Sequence, residues 1–182
     1  MQEKHYVVFD LETTGLDICK DEPIQLFFAE GDIETGELKD ELLLHCYGEQ
    51  PISREATAIH GFKIDWLKEN GIKAVHAANT VINYMWKHQP LAFVGHNCMN
   101  FDFPMLQNWL RNYGSGAFRH APCCEIYDTM HLCCVHFEQR KWMRLAIAAQ
   151  SLGIEVPTDL HDARTDGALC WKIFCALKKG DT

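Results

Sequence analysis

The sequence contains no long hydrophobic run and no excess of positive charge. No apolar stretch among its 182 residues approaches the roughly 20 that a membrane-spanning helix needs, and the polar start, residues 1–4, lacks the apolar core of a signal peptide. Lysine and arginine total 17 against 25 aspartate and glutamate residues, so the formal net charge is −8. That sign disfavours binding along many phosphates of a long nucleic acid, although it permits an enzyme that takes in only a chain end. We expect a protein without membrane contact.

The paired C-x₂-C spacing of common zinc sites is also missing, although the sequence has nine cysteines. An odd number of cysteines without a secretory signal predicts reduced thiols in a cytoplasmic protein. The densest group is Cys123, Cys124, Cys133 and Cys134. A zinc site there is an open alternative, but we favour thiols that pack as small hydrophobic side chains.

The hydrophobic pattern predicts a single α/β domain over residues 1–182, a length that suffices for a core without disulfides. The first third of the chain indicates three antiparallel strands, at 5–10, 24–29 and 38–47, joined by short turns. Two further strands are expected at 91–94 and near 124–127. Helical spacing of apolar residues predicts helices at 74–88, after Asp102, at 128–136, at 142–152 and after Ala163.

Two carboxylates lie at the end of the first predicted strand, in the segment 9–17, Phe-Asp-Leu-Glu-Thr-Thr-Gly-Leu-Asp. Residues two apart on a strand point to the same side, so Asp10 and Glu12 converge at the end of an apolar strand. Such an oxygen cluster suits a hard divalent cation such as Mg²⁺. A bare D-x-E pair is more often a solvated strand end, so a metal site requires further carboxylates from elsewhere in the chain.

Two later segments supply them. The segment 95–102, Gly-His-Asn-Cys-Met-Asn-Phe-Asp, leads from a predicted strand into a predicted helix, where Asp102 is either the N-cap or a functional carboxylate. In the segment 161–166, His-Asp-Ala-Arg-Thr-Asp, His161 and Asp166 are five apart, about 140° around an ideal helix. They can face one site only if His161 precedes the helix and Asp166 lies on its second turn, with Asp162 as the N-cap.

Together the three segments resemble the motifs of the DEDDh 3′→5′ exonucleases, a family that includes the proofreading subunit of bacterial DNA polymerase III. The resemblance spans residues 6–177 and includes all five diagnostic residues. It implies a ribonuclease-H-like α/β fold, a mixed five-stranded sheet flanked by helices. It also implies a metal-dependent nuclease that releases nucleoside 5′-monophosphates from a 3′ end.

The resemblance assigns roles to these residues. Asp10, Glu12 and Asp166 would hold one divalent ion, Mg²⁺ or Mn²⁺. Asp10 would bridge to a second ion about 3.5–4 Å away, supported by Asp102 from the outer shell. His161 would be the general base that takes a proton from the attacking water, a role that suits histidine because it titrates near neutral pH.

The same resemblance implies that six residues lie at the terminal nucleotides: Thr13, Leu16, His60, His96, Asn97 and Phe101. Leu16 and the backbone at Thr13 would hold the last base, and Phe101 would lie under the terminal nucleotide. His60 follows a short predicted helix between Ser53 and Gly61, where it is either a capping residue or a substrate contact.

Three functions remain open at this stage. A DNA exonuclease acting on single strands or frayed ends is favoured, because the segment 12–15, Glu-Thr-Thr-Gly, resembles the DNA-proofreading branch. An RNase that trims RNA 3′ ends or short oligoribonucleotides is the alternative, and an inactive nucleic-acid-binding module is a third.

Two departures from the proofreading subunit are apparent. The segment 25–28, Gln-Leu-Phe-Phe, replaces a strand of small residues, and no polymerase-binding tail is present, so a replicative role is not expected.

Overall fold

The computed structural model describes residues 5–89, 91–115 and 125–180, which form one mixed sheet with helices on both faces. The strands are β1 (His5–Thr13), β2 (Pro23–Gly31), β3 (Leu38–Tyr47), β4 (Ile72–Lys73), β5 (Leu91–Gly95) and β6 (Glu125–Asp128). The helices are α1 (Arg54–His60), α2 (Ile64–Asn70), α3 (Ala74–Lys87), α4 (Asp102–Tyr113), α5 (Thr129–His136), α6 (Leu145–Ser151) and α7 (Ala163–Gly180).

Strand β1 lies near the centre of the sheet because both of its faces are apolar. Val7 and Phe9 face one side and Val8 faces the other, and none of the three is more than 1% exposed. The strand order is β4-β3-β2-β1-β5-β6. β1 pairs antiparallel with β2 and parallel with β5. The parallel pairing brings the carboxyl ends of β1 and β5 to the same edge of the sheet.

Helices cover the two faces of the sheet. α3 and α4 pack against the side that carries Phe9 and Phe28. α7 packs Trp171 against the other side, which carries Val8 and Phe27. α5 and α6 contact α7 from outside. Since α7 begins at the edge where β1 ends, the first turn of this helix is held over the centre of the sheet.

The predicted α/β fold is confirmed, with local differences. The described residues form six strands rather than five, because β4 has only two residues and therefore no periodic pattern to detect. α6 begins at Leu145 rather than at 142, since Arg144 before it is still extended. The strand expected near 124–127 is β6, and residue 124 itself lies outside the described residues.

The cysteines of the described ranges form no disulfide with one another. Cys133 is fully buried between α5, α6 and α7, and Cys134 donates from Sγ to the Lys141 carbonyl at 3.4 Å. Cys123 and Cys124, which belonged to the zinc alternative, lie outside the described residues. None of the helices in the described ranges is long and apolar enough to cross a membrane.

Candidate active site

Asp10 and Glu12 lie side by side on β1, where the strand approaches the sheet edge. Burial raises the pKa of Glu12 to about 8, and the charges of Asp166 and Asp102 add to the shift. Burial also raises the pKa of Asp10 well above its usual range, and the charges of Asp102, Asp166 and Glu12 raise it further. Charge effects of this kind indicate that the four carboxylates lie close together.

Asp102 joins this group from the start of α4. It is the first residue of the helix rather than its N-cap, which is Phe101, so the capping role considered from the sequence is not found. Asp102 is 6% exposed, and burial raises its pKa to about 7 although a hydrogen bond from the Leu11 backbone works in the opposite direction. A carboxylate at this depth has little water to stabilise its charge.

Asp166 enters the group from α7. It lies in the first turn of the helix, one turn earlier than expected, and Asp162 caps that turn by accepting from the Thr165 backbone N–H at 3.2 Å. Gly167 allows the close approach of α7 to the sheet, because a Cβ there would lie 2.5 Å from Cδ1 of Phe27. Burial is the largest cause of the raised pKa of Asp166.

His161 lies in the loop before α7, as predicted, with its backbone in the left-handed region at φ 70°. Its backbone N–H donates to Oδ2 of Asp166 at 3.3 Å, and its side chain is exposed. Ligand atoms of Glu12, His161 and Asp166 all lie within 4.8 Å of one another. The left-handed turn therefore folds His161 back toward Asp166, which a continuous helix would prevent.

This donor set fits a divalent cation. Oδ1 of Asp166 is buried without a hydrogen-bond partner among the described residues, a costly state that a cation would relieve. The charges of the neighbouring carboxylates raise the pKa values of Asp10 and Glu12, so the group requires a positive charge for all of its members to be ionised together. Oxygen ligands of this kind are the ones preferred by Mg²⁺ and Mn²⁺. The group of Glu12, His161 and Asp166 can hold a metal ion, with Asp10 and Asp102 close behind it.

Gln25 is part of the site's support, which the sequence patterns did not reveal. It lies on β2 opposite Glu12 and is 1% exposed. Its Nε2 donates to Oδ2 of Asp162 at 2.6 Å and faces Nε2 of His45 at 3.1 Å. Its Oε1 accepts from the Ala163 backbone N–H at 2.8 Å. The only sequence signal was that the segment 25–28, which begins with this glutamine, replaces the strand of small residues found in the proofreading subunit.

His60 lies beside the backbone of β1. Its Nδ1 accepts from the Phe62 backbone N–H at 3.0 Å, so Nε2 carries the proton and faces the Thr13 carbonyl at 3.2 Å. Burial lowers the pKa of His60, which favours this neutral form. Thr13 is 7% exposed, whereas Leu16 is 81% exposed. The structure therefore brings His60 and Thr13 together and leaves Leu16, three residues later, exposed to solvent.

The other predicted substrate contacts lie between β5 and α4. His96 is engaged within the protein: its Nε2 donates to the Met143 carbonyl at 2.8 Å and its Nδ1 lies 2.9 Å from Oγ1 of Thr129. Asn97 adopts a left-handed backbone at φ 59°, and Phe101 is partly exposed while packing on the core. Contact of these three side chains with a substrate stays a prediction.

Comparison with known proteins identifies the class to which this arrangement belongs. A family model described as Exonuclease, of the RNase T type, matches residues 7–174. The chain is therefore a member of this exonuclease family. Its β1, α4 and α7 carboxylates lie within the matched segment.

The individual relatives have low sequence identity to this chain. The chain is 29% identical over 180 residues to the PolC-type DNA polymerase III of Mycoplasma genitalium, and the match covers 98% of this chain but 12% of the polymerase. Among solved structures, E. coli exonuclease I in complex with a dT13 oligonucleotide matches with a TM-score of 0.80 at 17% identity, over 97% of this chain and 41% of the other. The exonuclease I of Methylocaldum szegediense matches with a TM-score of 0.82 at 19% identity, over the same shares. At these identities the structures establish the fold.

Proposed function

We propose that this domain is a metal-dependent 3′→5′ exonuclease that removes nucleoside 5′-monophosphates from the 3′ end of DNA. The observation that carries the proposal is the meeting of carboxylates from β1, α4 and α7, with a histidine within 4.8 Å of two of them. Membership of the exonuclease family supports the reaction class. The relatives include a DNA polymerase and an exonuclease I bound to a DNA oligonucleotide, which favours DNA over RNA.

The acidic residues would hold the metal. Asp10, Glu12 and Asp166 suit one divalent ion, and Asp10 with Asp102 suits a second. When bound, two such ions, Mg²⁺ or Mn²⁺, would lower the pKa of an attacking water and neutralise the charge that develops on the phosphate and the leaving 3′ oxygen. The raised pKa values of Glu12 and Asp102 are consistent with this role, because carboxyl groups with such pKa values need a nearby cation to stay ionised at neutral pH.

His161 would accept the proton of the attacking water. Its imidazole lies beside Glu12 and Asp166 and is also exposed, so one ring nitrogen can accept a proton from the attacking water and release it to solvent. A positioned histidine contributes roughly 10²–10⁴ to the rate as a general base. The left-handed backbone of the loop keeps the ring outside α7, where it can reach both the site and the solvent.

The terminal nucleotide would lie between Glu12 and Leu16. The Glu12 carboxylate can accept a hydrogen bond from a free 3′-OH, which would restrict hydrolysis to that end of the strand. Leu16 is 81% exposed next to the buried Thr13, so its side chain can pack against the last base. The His60 contact to the Thr13 carbonyl holds this stretch of backbone in place.

The test uses 5′-labelled single-stranded DNA, duplex DNA and RNA of one sequence, incubated with Mg²⁺, Mn²⁺ or EDTA. We expect metal-dependent ladders that shorten from the 3′ end of DNA, and no shortening of an oligonucleotide with a 3′-phosphate. Alanine at Asp10, Glu12, Asp102 or Asp166 should abolish turnover, whereas Glu155→Ala, an exposed carboxylate in a loop, should not. Degradation of RNA alone would overturn the choice of DNA, and internal cleavage would overturn the exonuclease proposal.

A further inference from the structure

An aromatic strip, defined here as His60, Phe62 and Trp66, leads away from the candidate active site along α1 and α2. The ring centroids of His60 and Phe62 are 5.3 Å apart with planes tilted by 33°. Those of Phe62 and Trp66 are 5.5 Å apart with planes tilted by 37°. The three rings therefore pack against one another in a row rather than as isolated aromatic residues, and all three are partly exposed.

Local hydrogen bonds fix the start of the strip. Gly61 ends α1 in the left-handed conformation, at φ 78°, and this turn lets the Phe62 backbone N–H reach Nδ1 of His60 at 3.0 Å. Nε2 of His60 faces the Thr13 carbonyl at 3.2 Å. The first ring of the strip is thus held against the end of β1, next to the carboxylates.

The far end of the strip is supported from behind. His45 on β3 makes edge contacts with Phe62 and Trp66, at centroid distances of 5.4 and 5.1 Å, and Gln25 anchors His45 in turn. α2 attaches to the domain through Leu67, which is fully buried, while Trp66 next to it is 42% exposed. The helix therefore presents Trp66 to solvent while His45 and Phe62 support its ring from behind.

We propose that this aromatic strip is a stacking platform for the bases that precede the 3′-terminal nucleotide of a single strand, a proposal that rests on the proposed function. Aromatic side chains stack on any base, because every base has a π-face. The strip begins at the Thr13 carbonyl, where the terminal nucleotide would lie, and continues away from it at ring-centroid distances of 5.3 and 5.5 Å.

The charge of the protein supports stacking as the mode of binding. With a net charge of −8, the domain gains little from long-range attraction to phosphates. Stacking needs no positive charge and would allow the domain to retain a strand that it shortens step by step. A platform of this kind also favours single strands and frayed ends, since the bases of an intact duplex are already stacked.

The first experiment varies substrate length. Initial rates are measured on oligothymidylates of two to twelve nucleotides for wild type, Trp66→Leu and Trp66→Phe. Trp86→Leu is the matched control, because Trp86 on α3 is 46% exposed and lies outside the strip. We expect Trp66→Leu to raise KM for the longer substrates by about five- to tenfold with little change in kcat, the pattern of lost ground-state binding. The effect should shrink as the substrate is shortened, and Trp66→Phe should lie between.

The second experiment removes single bases from the substrate. An abasic position that raises KM for the wild type should have no further effect in Trp66→Leu, because the two changes remove the same contact. Equal KM values for wild type and Trp66→Leu at every length would overturn the platform, and so would abasic effects that simply add to the effect of the variant.

A binding measurement separates this proposal from the proposed function. Fluorescence anisotropy of labelled dT₁₂, with Ca²⁺ in place of Mg²⁺, needs no hydrolysis. If the wild type binds more tightly than Trp66→Leu but no oligonucleotide is ever shortened in Mg²⁺, the platform stands and the exonuclease proposal falls. If strands are shortened but the two proteins bind and turn over equally, the platform alone falls.

Discussion

The side chain of Gln25 donates a 2.6 Å hydrogen bond to Asp162, a residue 137 positions later in the chain. This contact joins the strand next to β1 to the residue that caps α7. His161 lies just before the contact and Asp166 one helical turn after it. The geometry of both groups relative to the β1 carboxylates therefore depends on one buried amide.

Replacing Gln25 should impair catalysis as well as stability. Gln25→Leu leaves the Asp162 carboxylate and the Ala163 N–H without their buried partner, which costs about 1–3 kcal/mol for each group left unsatisfied. We expect a lower melting temperature and a fall in kcat of about 10²-fold, the effect of small misplacements of reacting groups, with KM changed much less. Gln25→Glu is the matched variant, since it keeps the acceptor for Ala163 and turns only the donor into a like charge. Wild-type kcat in both variants would show that Gln25 is merely structural.

Gly167→Ala should move α7 away from the sheet. A Cβ at this position would lie 2.5 Å from Cδ1 of the fully buried Phe27, so either the ring or the helix must shift. Alanine gains about 1 kcal/mol in helix propensity over glycine, but overpacking in a core costs about 1–3 kcal/mol. We expect net destabilisation on thermal melting, weaker binding of Mn²⁺ and reduced activity. A more stable, fully active variant would mean that the core adapts without displacing Asp166.

His161→Asn should remove the general base without straining the loop, because asparagine tolerates the left-handed backbone better than alanine does. We expect kcat to fall by about 10²–10⁴ while Mn²⁺ still raises the melting temperature. Full activity in the variant would exclude His161 from proton transfer.

Stability of the metal-free protein should fall as the pH rises, because of Glu12. Its pKa is raised from 4.5 to about 8 in the folded chain, so the folded form holds a proton that the unfolded chain has lost. Such a group stabilises the fold at low pH, and the contribution disappears as the pH rises from about 4.5 to about 8. In EDTA, Glu12→Gln should therefore gain stability relative to wild type over this range, measured by denaturant unfolding. If the free energy of unfolding changed with pH in the same way for both proteins, the raised pKa of Glu12 would be contradicted.

Asp166→Asn should distinguish a metal site from a structural network. One of the repelling charges is removed, so the metal-free variant should melt at or above the temperature of the metal-free wild type. Mn²⁺ should stabilise the wild type by about 2.7 kcal/mol at a hundredfold excess over Kd and the variant much less. A variant that melts well below the wild type, with equal stabilisation of both by Mn²⁺, would exclude the four-carboxylate site.

The short-range features of this protein were determined by the sequence itself. Spacing alone indicated that Asp10 and Glu12 share one side of β1, and that His161 must precede the helix that carries Asp166. The alternating burial of β1 and the amphipathic pattern of α3 likewise follow from local periodicity. These are relations within one element or across one turn, where backbone geometry dictates which side chains are neighbours.

Relations between distant segments were decided by the tertiary structure. No pattern indicated that Gln25 would bind the cap of α7, that Asp102 would lie inside its helix rather than cap it, or that Trp66 would continue a surface begun by His60. Such contacts depend on how closely helices approach the sheet, as at Gly167, and this distance is set by packing of the whole core. The sequence therefore specified which chemical groups the site contains, while their separations and pKa values arose only when the strands and α7 packed together.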